Sequence, residues 1–210
     1  MMKYLYEFIG AFFLVFTVGM VVIGPGTAPA GFAPIAIGTV LAVMIFLGGH
    51  VSGGHYNPAV SFAVFLRGKS TVADMLIYWV VQVIAAFVAA FAVLYLKGSA
   101  AEIPSLQPVM VPALIAEFLF TFALTFTVLN VATAKGTEGN SFYGWAIGMI
   151  VLVGAYAVAA ISGAAFNPAV AVGISQMGIV AWSNIWIYLV AELVGAAVAA
   201  LIFRAAHPGE

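Results

Sequence analysis

The chain is 210 residues long, 65% hydrophobic and only 6% charged, with a mean hydropathy of +1.20 and a formal net charge of −1. So little polar surface excludes a water-soluble globule and places the chain in a bilayer, while the lack of a basic block excludes a nucleic-acid partner. No cysteine is present, which removes disulfides and thiolate metal sites.

Crossing a hydrocarbon core of roughly 30 Å takes about 20 apolar residues as a helix. The first such stretch, 4–24, follows a lone Lys3 and lacks a small-residue cleavage pattern, so it reads as a retained span and not a signal peptide. Further full-length stretches follow at 32–50, 72–96, 112–133, 142–161 and 181–203. Two apolar pieces, 58–66 and 168–177, are too short. At about 1.5 Å per residue each covers half the membrane and can only be a re-entrant half-helix buried in protein. The expected fold is an all-α membrane protein of six transmembrane helices plus two half-helices, forming one domain over 1–210. With a cytoplasmic N-terminus, Lys3, Arg67, Lys69, Lys135 and Arg204 fall inside and only Lys97 outside. That positive-inside bias puts both termini in the cytoplasm.

A shift of 110 residues maps the chain onto itself without a gap. It pairs Glu7-Phe8 with Glu117-Phe118, Phe16-Thr17-Val18 with Phe126-Thr127-Val128, Asn57 with Asn167, and Ile77-Tyr78 with Ile187-Tyr188. Each half holds an odd number of spans, so the second enters the membrane from the opposite face. The halves, 1–100 and 111–210, read as an inverted repeat with a pseudo-two-fold axis in the membrane plane.

The longest repeated phrases are SGGHYNPAV from Ser52 and SGAAFNPAV from Ser162. Asn is a strong N-cap and Pro is favoured at the first helical position, so Asn57-Pro58-Ala59 and Asn167-Pro168-Ala169 each start a helix. Arg67-Gly68-Lys69 ends the first with cations, and Gly178 ends the second without a charge. Two such starts meeting at midplane bring together the positive ends of two helix dipoles and two amide donors. A water there accepts hydrogen bonds from Asn57 and Asn167, so a file of waters turns over at the centre and cannot relay protons continuously.

On these motifs and the glutamates of the first and fourth spans, the sequence resembles the aquaporin and aquaglyceroporin (major intrinsic protein) family over essentially its whole length. The resemblance implies a right-handed bundle assembled as a homotetramer with one pore per subunit, a passive channel and not an enzyme. It also implies an outer constriction at Ile37, Ala155, Ala164 and Val170. Val170 is the departure: the family usually places an arginine directly after the second motif. Replacing a guanidinium with an isopropyl group removes both donors and a cation-repelling charge. The expected filter is apolar and wide, which admits water, glycerol, urea, ammonia, hydrogen peroxide and hydroxylated metalloids such as arsenous acid.

Other intramembrane polar residues read as supports. Glu7 and Glu117 are expensive in a bilayer unless paired, and are expected to accept backbone N–H groups of the re-entrant loops and not to relay protons. Gln82 and Glu192, related by the repeat, brace the same loops. His50 and His55 join this set, with His55 lining the vestibule or making a structural hydrogen bond. Ala86, Ala90, Gly195 and Ala199 fit close helix crossings, and Trp79, Trp145, Trp182 and Trp186 read as interface anchors or packing. No catalytic set, metal motif or cofactor site is legible, and Ser52 and Ser162 have no base beside them. The alternative is a secondary transporter, which also uses inverted repeats and broken helices, although these short elements carry no carboxylate at their tips.

Overall fold

The structure, a computed structural model, describes residues 1–24, 31–98 and 102–210. The connection 25–30 and residues 99 and 100, which close the first predicted repeat, lie outside the described residues. Among the described residues, six helices are long and apolar enough to cross a membrane. They are α1 (Met2–Val22), α2 (Ala33–Ser52), α4 (Val72–Lys97), α5 (Met110–Val128), α6 (Tyr143–Ser162) and α8 (Ile185–Ala206). Two short helices of nine residues each, α3 (Pro58–Leu66) and α7 (Pro168–Gln176), complete the bundle. Only helices can satisfy the backbone within a single segment in hydrocarbon, so apolar runs of this length have no other stable form.

Turn chemistry sets where α2 and α6 stop. Each is followed by a glycine in the left-handed region, Gly53 (φ 90°) and Gly163 (φ 88°), which releases the chain toward the short helix. The short helices end the same way, at Gly68 (φ 85°) and Gly178 (φ 81°).

The packing follows the 110-residue offset. Helix α1 packs on α4 as α5 packs on α8, and α1 on α2 as α5 on α6. The short helices are exchanged, with α3 lying mainly against α8 and α7 mainly against α4. At the α2–α6 crossing Gly38 faces Gly148, and a Cβ on Gly38 would come 2.7 Å from the Gly148 carbonyl oxygen. Gly195 allows a similar approach to the Phe118 carbonyl of α5, and Ala86, Ala90 and Ala199 are fully buried.

The span predicted as uniform helix over 112–133 is not uniform. Its last turn, Leu129–Thr133, widens to a π-helix before a 3₁₀ turn at Lys135–Thr137. Side chains bond back to the preceding turn there: Thr133 Oγ1 donates to Leu129 O at 2.6 Å and Asn130 Nδ2 to Phe126 O at 2.7 Å. Such bonds compete with the regular ladder. Of the two roles expected for Trp79, it takes packing: it is half-buried, and its indole N–H donates to the Pro58 carbonyl at 2.8 Å, tying α4 to α3.

Candidate functional site

The centre is built by the two Asn-Pro-Ala turns. Asn57 Oδ1 accepts the N–H of Ala59 at 2.8 Å and of Val60 at 3.4 Å, and Asn167 Oδ1 accepts that of Ala169 at 2.9 Å. The residue before each cap, Tyr56 or Phe166, is left-handed at φ 49°. A bulky side chain in that region costs on the order of 1–2 kcal/mol. A buried carboxylate offsets it in each half, since Glu7 Oε2 accepts the Tyr56 N–H and Glu117 Oε2 the Phe166 N–H, both at 2.7 Å.

The left-handed turn aims each carbonyl across to the other half. Asn57 Nδ2 donates to Phe166 O and Asn167 Nδ2 to Tyr56 O, both at 2.9 Å. A side-chain amide has two N–H groups, so each asparagine keeps one for a passing molecule. The sequence reading assigned both amides to the conduit without this crossed pair. Both asparagines are 3% exposed and line a cavity of about 130 Å³, with room for several waters.

Ile37 from α2, Ala155 from α6, Ala164 from the second re-entrant loop and Val170 from the first turn of α7 line this same cavity. Among the described residues, its only polar side chains are His55, Asn57 and Asn167. Gly54 and Gly163 line it too, so loop backbone itself faces the path. A wider cavity of about 700 Å³ opens on the side of the α1 N-terminus, bordered by Lys3, His50, Lys69, Asp74, Lys135 and Glu138. The two cavities adjoin, sharing His55, Val128 and Ile147.

The supports are asymmetric in detail. Glu7 also accepts Ser52 Oγ at 2.7 Å, the His55 N–H at 2.9 Å and Gln82 Nε2 at 2.8 Å. Glu117 accepts the Ala165 N–H at 3.1 Å, and Glu192 Oε1 accepts the Asn167 N–H at 2.9 Å. His55 both borders the conduit and places Nδ1 3.1 Å from Ser61 Oγ. His50 corrects the reading as a loop support: it is exposed in the last turn of α2, borders the wide mouth and makes no hydrogen bond to the loop among the described residues. It lies on the opposite side of the turn from the buried Gly48 and Ser52, which leaves it at the vestibule.

A profile of the Major intrinsic protein family matches residues 1–203. Aquaporin TIP1-2 of Musa acuminata is 36% identical over 192 residues, covering 88% of this chain and 75% of that protein. The chain belongs to the major intrinsic protein family. Aquaporin TIP1-2 of Zea mays is 37% identical over 187 residues, covering 86% of this chain and 73% of that protein. The solved aquaglyceroporin from Plasmodium falciparum has the same fold, with a TM-score of 0.80 over 96% of this chain and 94% of that one at 21% identity. As a major intrinsic protein the molecule is a membrane channel and not an enzyme.

Sequence reasoning missed several residues of this major intrinsic protein's conduit. Val60 and Ile147 line it and are the 110-offset partners of Val170 and Ile37, so the repeat itself carried the signal. The Tyr78 hydroxyl, donating to Ser52 O at 2.7 Å, and the Tyr188 hydroxyl, donating to Ser162 O, hold the ends of α2 and α6. That role was also readable as a repeat pair but not as a contact.

Proposed function

We propose that the chain is a passive pore for water and small uncharged solutes, passing Asn57 and Asn167 and then an outer constriction of Ile37, Ala155, Ala164 and Val170. The observation that carries the reading is that both asparagines and all four of these apolar residues line one cavity that adjoins a larger vestibule. Two capped helix starts at the centre present positive dipole ends and spare amide donors, which disfavours cations and orients each passing water.

The constriction supplies no side-chain donor, so a solute passing it keeps its own hydration or presents apolar surface to the wall. That favours compact neutral molecules with both faces: glycerol, urea, ammonia, hydrogen peroxide and hydroxylated metalloids such as arsenous acid, beside water. Residues 1–210 act as one channel domain, with repeats 1–100 and 111–210 entering the membrane from opposite faces. We place the channel as a homotetramer with a pore in each subunit, in a prokaryotic inner membrane, with both termini cytoplasmic. Short connections and the bias of Lys3, Arg67, Lys69, Lys135 and Arg204 to one side support that placement. The plant relatives named above speak to family and not to compartment.

Stopped-flow light scattering of proteoliposomes with water, glycerol, urea and arsenous acid tests the reading. Flux should follow the solute gradient alone and should not saturate as in a coupled transporter. If no solute enters faster than into empty vesicles, the channel reading fails.

A further inference from the structure

The buried carboxyl of Glu192 has no part in lining the conduit, yet its surroundings dictate its chemistry. In the first half Glu7 is ringed by donors: Ser52 Oγ, the His55 and Tyr56 N–H groups, and Gln82 Nε2. Shifted by 110 residues, the ring becomes Ser162, Ala165, Phe166 and Glu192 around Glu117. The serine is kept in type and the two backbone donors in role, since the Ala165 and Phe166 N–H groups donate to Glu117 at 3.1 and 2.7 Å. Only the last donor differs, an amide in one half and a carboxyl in the other.

Glu192 is fully buried, and its Oε1 accepts the Asn167 N–H at 2.9 Å. Its Oε2 has no hydrogen-bond partner among the described residues, and the two carboxyls are held side by side, Glu117 accepting the Phe166 N–H and Glu192 that of the next residue, Asn167. Two ionised carboxylates in contact and away from water repel strongly, and an unpartnered anionic oxygen at that depth is costly. One proton on Oε2 removes both problems. It neutralises Glu192 and completes the ring around Glu117, which already has its other donors and is the member that stays ionised.

We propose that Glu117 and Glu192 form a buried site for a single proton, held on Glu192 Oε2 and donated to Glu117. In this acid form Glu192 positions the Asn167 cap as a shape-equivalent of the Gln82 amide. The groups facing the pair are few. Helix α5 contributes only Glu117, and α8 itself adds Tyr188. Helices α3 and α7 and the Leu129–Thr133 turn carry no titratable side chain, and Arg67, beyond the end of α3, is engaged by Thr133 and Glu210.

Infrared spectroscopy of the full chain in phosphatidylcholine vesicles at neutral pH tests the proposal. The wild-type spectrum should contain a protonated carboxylic acid band that disappears in Glu192→Gln, while osmotic water permeability of that variant stays at the wild-type level because the amide supplies the same donor. Glu192→Leu, which removes the donor and the acceptor of the Asn167 N–H, should fall toward the empty-vesicle rate. Should that variant fail to fold, the converse substitution Gln82→Glu still decides, since it should add a second acid band. Absence of the band in wild type, its survival in Glu192→Gln, or equal impairment of the Gln and Leu variants would overturn the proposal. The permeability arm rests on the channel reading and the spectrum does not: a band behaving as stated in protein that passes no water would uphold the proton site and count against the channel alone.

Discussion

Val170 sits in the first turn of α7, 5% exposed and facing the conduit. A longer side chain there can only extend into the path. Val170→Arg is therefore expected to lower glycerol and urea flux more than water flux in stopped-flow assays, because a guanidinium narrows the opening yet offers donors that replace lost hydration. Equal loss for all solutes would mean that position 170 does not form the constriction. Glu7 illustrates the support side of the same scale. Glu7→Leu strands the His55 and Tyr56 N–H groups in a dry interior and leaves Ser52 Oγ and Gln82 Nε2 only their longer bonds, to Gly48 O at 3.4 Å and Ser61 Oγ at 3.2 Å. At about 1–3 kcal/mol for each buried unsatisfied donor, the thermal unfolding midpoint in detergent should drop sharply, and a midpoint within a degree or so of wild type would refute that network. The residue types at these points were legible in the sequence, since Asn-Pro-Ala starts helices and an intramembrane glutamate needs partners. The crossed bonds from Asn57 to Phe166 and from Asn167 to Tyr56 were not. They depend on a left-handed turn at an aromatic residue, which no local propensity announces.

Between elements, the α2–α6 crossing depends on two glycines with nothing between their backbones. Gly38→Leu has no room at the Gly148 carbonyl, so the helices must separate, at about 1–3 kcal/mol for overpacking of this kind. Because Ile37 is the neighbouring residue and lines the conduit, the same variant should also alter solute flux; chemical unfolding and stopped-flow on one preparation check both effects. Unchanged stability would place the crossing elsewhere. Helix starts and stops were the most readable feature at this scale, as the caps at Asn57 and Asn167 and the glycines Gly53 and Gly163 are encoded locally. The widened turn at Leu129–Thr133 was not, because threonine and asparagine in an apolar run read equally well as ordinary helix until their hydroxyl and amide groups are seen bonding backward.

For the molecule as a whole, the absence of cysteine from the sequence makes orientation directly measurable. Single variants Lys69→Cys and Lys135→Cys should react with an impermeant maleimide only from the cytoplasmic face, and Glu102→Cys only from the opposite face; the reverse pattern would invert the proposed topology. A different consequence follows from the exchange of the short helices between halves, with α3 resting on α8 and Asn57 bonded to Phe166. As the chain leaves the ribosome, the first re-entrant segment can lean on α4, but its main contact, with α8, waits until the last helix has been synthesised. Assembly thus finishes at the centre, and the earliest-made half waits on the latest. A nascent chain halted after Ile179 should leave a cysteine placed at Ala63, a position buried and away from both cavities, open to thiol reagents that the finished protein excludes.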